Sequence, residues 1–333
     1  MNEPIKITIA SAADAVATVP YMLGFHPEDS LVVVGWNSQG SFGIRLDLIT
    51  RDHHGDLIRR LRAFMVGTAA EAVILLGYGS EDRTVPLLTE VQDALADILT
   101  VKEVLRVNDG RWWSLTCIDH RCCPADGTPY DIASTTIAAT AAYAGRVAYG
   151  SRREMAATLA PMGGRDRERM QAETERAEAE LLRDGGSPPL LVIEGLPMVR
   201  SLLGSGARLT DRQVARLSVV LNHLRVRDEA WARIAEHDQD QQLRFWRDMT
   251  RRTVGEYTAA PAALLAYTAY MDGDGALAQM ALERSRQAVP SYNLAALLQE
   301  ALNHAISPQA FREKFSLTPE WVAETYGDTS HPA

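Results

Sequence analysis

A chain of 333 residues is longer than one hydrophobic core usually supports, so two domains are expected. Its 46% hydrophobic and 23% charged residues lie in the ordinary globular range, which excludes wholesale disorder. The net charge of −9 argues against a general nucleic-acid binder, because that role needs a basic face to neutralise phosphates.

Residues 5–9 read as a short strand, and Ser11 can cap a helix that runs to about Met22 and ends near Gly24. SLVVVGW (30–36) is almost continuously apolar and β-branched, as a strand buried on both faces should be. After a turn at Asn37–Gly40, residues 42–48 alternate apolar with polar and complete a hairpin. A helix is predicted near 54–66, a strand at 72–79, a helix at 84–99 and a strand at 101–107. Asn108-Asp109-Gly110 then turns the chain into a last strand, Arg111–Cys117. Strands alternating with helices indicate an α/β unit with a mixed sheet and flanking helices.

From Asp131 onward the pattern is helical, apart from a short apolar run at Leu190–Ile193. Helices are predicted at 132–148 and 151–160. The charge-dense stretch 165–183 places Glu and Arg three or four residues apart, which favours a helix standing in water. The best linker is Gly185-Gly186-Ser187-Pro188-Pro189. Further helices follow near 210–224, 226–236, 239–254 and 292–304. The stretch Pro261–Pro290 matches tetratricopeptide spacing at Leu265, Ala278, Leu282 and Pro290, and departs from it at Ala262, Ala266 and Ala269. The expected fold is therefore an α/β domain over 1–130, connecting helices over 131–184, and an all-helical domain over 185–333 containing a tetratricopeptide-like hairpin.

No stretch approaches the roughly 20 apolar residues of a membrane span. The opening MNEPIKITIA lacks the basic head and apolar run of a secretion signal. Three cysteines confined to Cys117–Cys123 make no extracellular disulfide framework, so the cytoplasm is the expected compartment and no membrane partner is expected.

Several segments carry a resemblance. VPYMLGFHPEDSLVVVGW (19–36), CIDHRCCPADGTPY (117–130) and AYAGRVAYGSRREMAATLAP (142–161) do so in the first half. VARLSVVLNHLRVRDEAW (214–231), FWRDMTRR (245–252) and LLAYTAYMDGDGALAQMALERS (264–285) do so in the second. Over nearly its whole length the chain is similar to an uncharacterised bacterial family known as domain of unknown function 4192. The resemblance implies no activity, so candidate sites rest on the residues.

Cys117, His120, Cys122 and Cys123 are the donor types zinc prefers, and four would close a tetrahedral site. On extended backbone, however, Cys122 and Cys123 point to opposite sides. The simplest reading is that small buried thiols tuck the loop under the sheet end, with redox chemistry as a further alternative. His26, Glu28 and Asp29 place an imidazole beside two carboxylates, which suits acid–base work, or else form a turn before the strand. His53 and His54 are expected to begin a helix. Gly77, Gly79 and Ser80 lie at a strand's carboxyl end before a helix, where phosphate can be cradled, but lack a phosphate-binding fingerprint. Arg225, Arg227 and Asp228 could recognise an anion or close salt bridges between helices.

Three functions remain open from sequence. A non-catalytic adaptor recruits a protein partner through the helical half. An enzyme or nucleotide-binding regulator uses the carboxyl-end loops Gly77–Asp82 and Asn108–Arg111. A metal or redox sensor uses Cys117–Cys123. No cofactor is required by any motif, with zinc the one candidate.

Overall fold

The computed structural model describes residues 9–327 apart from 39, 120, 144, 184–187, 305 and 316. The chain divides into two compact units, Met1–Met155 with Asn303–Ala305, and Ala156–Leu302 with Ile306–Ala333. The strand expected at 5–9 lies almost wholly outside the described residues.

In the first unit α1 (Ala12–Leu23) is capped by Ser11, whose Oγ accepts from Asp14 N at 3.1 Å, and ends at Gly24 in the left-handed conformation. Strands β1 (Ser30–Asn37), β2 (Gly40–Asp47), β3 (Ala72–Tyr78), β4 (Thr100–Asn108), β5 (Arg111–Ser114) and β6 (Thr128–Pro129) form one sheet, ordered β2-β1-β3-β4-β5-β6. The β3–β4 pair is parallel and the other described pairs are antiparallel, so the sheet is mixed.

Alternation along the strands sorts the two faces. Leu31, Val33, Val73, Leu75 and Val104 meet Leu61 and Met65 of α2 (His54–Gly67) and Leu87, Leu88, Val91 and Leu95 of α3 (Glu81–Leu95). Val32, Val34, Ile74, Leu76, Leu105 and Val107 are buried on the opposite face, where α1 packs with α4 (Thr136–Tyr143). Burial on both faces explains the unbroken apolar run of β1.

Four details differ from the sequence reading. The last strand stops at Ser114 instead of Cys117, because the Ser114 hydroxyl accepts the Thr116 and Cys117 amides and bends the chain off the sheet. The helix expected over 132–148 is reduced to a short 3-10 turn and α4, since Thr135 Oγ1 caps the Ala138 amide and Gly145 sits at positive φ. Leu190–Ile193 belongs to α7 (Pro188–Leu202), whose first turn accommodates Pro188 because amides there have no helical partner. Gly185, Gly186 and Ser187 of the expected linker lie outside the described residues. The fourth difference is the charged helix α6 (Gly164–Arg183). It buries Met170, Thr174, Ala177 and Leu181 and packs on α8 (Asp211–Val220) rather than standing free.

After α5 (Arg152–Ala157) the described residues of the chain hold helices and no strand. The chain continues through α9 (Leu224–Arg233), α10 (Gln239–Arg252), α11 (Ala259–Met271), α12 (Gly275–Ala288), α13 (Asn293–Asn303), α14 (Pro308–Phe315) and α15 (Pro319–Tyr326). Helix α11 is apolar all round and buried along nearly its whole length, with α10 and α12 packed against it. Its alanines allow that close approach. Trp246 of α10 is fully buried.

Candidate metal centre

The loop between β5 and β6 gathers the three cysteines. Ser114 Oγ donates to Glu103 Oε1 at 2.9 Å and accepts from Cys117 N at 3.0 Å; Thr116 Oγ1 donates to the same carboxylate. Cys117 is thereby fixed at the sheet edge. The Asp119 carbonyl accepts from Cys122 N at 3.0 Å and Cys123 N at 2.8 Å, while its carboxylate takes Arg121 Nε and NH2. This tight turn swings both later cysteines back, and the Sγ atoms of Cys117, Cys122 and Cys123 lie within 4.8 Å of one another. The divergence of Cys122 and Cys123 expected from extended backbone is thus overturned, since this backbone is a turn. Nor do all three tuck under the sheet: Cys117 and Cys123 are half-buried and Cys122 is exposed. His120 lies outside the described residues.

Beside the thiols is a pocket of about 130 Å³ lined by Trp112, Trp113, Ser114, Cys117, Cys123, Pro124, Ala125 and Thr128. Its Trp113 wall is held on several sides. The Arg106 guanidinium stacks 3.5 Å from the ring centroid, and Trp113 Nε1 donates to Ala125 O at 3.1 Å. Gly127 adopts φ +79° against the ring, where a Cβ would come within 2.4 Å. Arg111 NH1 donates to the carbonyls of Asp126 and Gly127, closing the hairpin.

Hydrogen bonding with Cys117, partial burial and a further hydrogen bond with Cys122 push the Cys123 thiol up to about 12. Low-pKa nucleophilic or redox cysteines need a nearby cation or helix N-terminus. The neighbouring Arg121 is paired with Asp119. Convergent soft donors instead suit a soft metal ion. Zinc–sulfur bonds of about 2.3 Å in a tetrahedron place sulfurs about 3.8 Å apart, a spacing this cluster can adopt with small side-chain shifts.

The other sequence candidates do not converge in this way. Asp29 Oδ1 pairs with Arg83 NH1 at 2.5 Å, the Glu28 carbonyl accepts from Ser30 Oγ, and the His26 amide donates to Tyr149 O; the segment is a turn. His53 contacts Thr50 and buried His54 contacts Glu90, at the start of α2. Gly77 leaves room for Leu88 and Thr84, and Gly79 N donates to Val107 O, so neither forms an open cradle. Ser80 stands at the N-cap of α3, with the acids Glu81 and Asp82 in the first turn, where they disfavour an incoming phosphate.

In the helical unit Arg227 pairs with Asp228, which accepts from Tyr326 Oη, and Arg225 pairs with Glu229. Glu229 also receives Arg200 and Arg233. Sequence singled out Arg225 and Arg227 but missed Glu229, the centre of this knot. It also missed Trp112 and Trp113, which had no motif to mark them.

These features define a class: a mixed-sheet α/β unit bearing a three-thiol loop at its sheet edge, followed by an all-helical unit. The chain belongs to the family described as a domain of unknown function, DUF4192, whose model matches residues 13–309. No curated protein and no solved structure matches it. No helix among the described residues is long and apolar enough to cross a membrane.

Proposed function

We propose that the protein is a cytoplasmic metal–thiolate protein that binds one zinc ion through Cys117, Cys122 and Cys123. The convergence of three sulfurs within 4.8 Å carries this reading. Three thiolates are donors zinc prefers, and a bound metal ionises the thiols that ligate it. Bound metal would clip the exposed turn to Cys117 at the sheet edge. The full chain, purified from its own host without chelator, is expected to carry one zinc per molecule by elemental analysis. Cys117→Ser and Cys122→Ser should each lose it while keeping the wild-type far-ultraviolet circular dichroism. Folded wild-type protein free of metal even after incubation with zinc would refute the reading.

A second reading gives the helical unit a protein-binding role. It is favoured by a groove of about 300 Å³ lined by Gln279, Glu283, Arg286, Gln287, Pro290 and Gln299. These amides and charges suit a polar segment rather than an apolar helix, and this groove lies on the hairpin with partial tetratricopeptide spacing. Arg286→Glu in the full chain should abolish a partner captured from host lysate with helicity unchanged. Capture unaffected by that change removes the groove from consideration.

A further inference from the structure

We infer that the metal held by Cys117, Cys122 and Cys123 keeps a fourth position open to the adjoining pocket, where it takes the sulfur of a small thiol. The inference rests on the zinc reading and adds to it a ligand site.

Zinc favours four ligands, and sites with three protein donors accept an exogenous fourth. Two of the three cysteines, Cys117 and Cys123, stand in the wall of the pocket. The cavity thus adjoins two of the three donors. Its volume of about 130 Å³ has room for about four waters, or for the sulfur end of a small molecule whose remainder projects from the mouth.

The lining selects among donors. That lining is mixed: Trp112, Trp113, Pro124 and Ala125 stand beside the hydroxyl-bearing Ser114 and Thr128. A divalent ion on three thiolates carries one net negative charge, and a fourth thiolate adds another. Charge of both signs stands nearby: the Arg106 guanidinium stacks on Trp113, and the Glu103 carboxylate accepts from Ser114 and Thr116. Arg106 is 8% exposed, and its guanidinium lies 3.9 Å from the carboxylate of Glu81, whose side chain is largely exposed. A soft anionic donor matches the metal, and a short arm carrying a hydroxyl matches the mixed wall. The incoming thiol gives its proton to solvent as its sulfur binds the metal, and no electron changes hands.

The test uses the full chain loaded with cobalt(II) in place of zinc under anaerobic conditions, with 2-mercaptoethanol as the probe. The sulfur-to-cobalt charge-transfer band should rise by about one-third on titration, the step from three sulfur ligands to four. Ala125→Leu, which narrows the pocket, should keep the three-sulfur band and weaken thiol uptake at least tenfold. A band indifferent to added thiol, and changed instead by His120→Ala, would assign the fourth position to the protein and overturn the inference while leaving the zinc site standing. Absence of any cobalt–thiolate band would overturn both.

Discussion

Glu229→Gln is expected to destabilise the helical unit by about 3–5 kcal/mol, the cost of leaving buried charges without their counter-ion. The Glu229 side chain is 1% exposed. Its Oε2 accepts from Arg225 NH1 at 2.7 Å, and its Oε1 accepts from Arg200 Nε and Arg233 Nε at 2.8 Å each. Arg225 is itself 3% exposed, so the substitution strands a guanidinium that water reaches poorly. Arg200 comes from α7 and the other three residues from α9, so the knot joins two helices. Arg200→Gln should cost far less, about 0.2–1 kcal/mol, because that side chain is 44% exposed and two cations remain on Glu229. Urea unfolding at neutral pH measures both, and a loss below about 1 kcal/mol for Glu229→Gln would show that the knot contributes little.

The same carboxylate makes a pH prediction. Burial alone would raise its pKa, but the hydrogen bonds from Arg225, Arg200 and Arg233 outweigh burial and hold it at about 2, below its ordinary value of 4.5. A group depressed by folding stabilises the native state fully above its unfolded value. That contribution fades as pH falls from about 4.5 towards 2. Wild-type protein should therefore lose stability through this window faster than Glu229→Gln, and the difference between them should shrink as the solution is acidified.

Much of the α/β unit was legible because its signals are local. The β-branched run Val32–Val34, the Asn108-Asp109-Gly110 turn and the Ser11 cap each fix a structure within a few residues. The two-residue strand β6 offers no periodicity to read, and Pro188-Pro189 resembles a linker until it is seen to open a helix. The charged face of α6 was plain, whereas the stripe of Met170, Thr174, Ala177 and Leu181 mixes small and polar residues and hides a buried face.

At the cysteine loop the ligand types were visible and their convergence was not. It depends on the Ser114 hydroxyl turning the strand end and on the Asp119 carbonyl drawing the amides of Cys122 and Cys123 into one turn. Glu229 was missed for a related reason. Its i±4 partners Arg225 and Arg233 could be read along one helix, but burial and the contact from Arg200 are tertiary facts.

The second large effect concerns the metal itself. Each of Cys117→Ser, Cys122→Ser and Cys123→Ser should lower zinc affinity by more than roughly 100-fold. Loss of a mere supporting group costs about 10–100-fold, and Ser114→Ala, which frees the Cys117 amide, should fall in that lower range. Equal affinities for wild type and the three cysteine variants would place any bound zinc elsewhere.

Zinc-edge X-ray absorption on the full chain tests the ligand set most directly. The predicted spectrum has at least three sulfur scatterers at about 2.3 Å from the metal, falling by one in each cysteine variant that still binds. A shell composed only of nitrogen and oxygen at about 2.0–2.2 Å would contradict ligation by Cys117, Cys122 and Cys123.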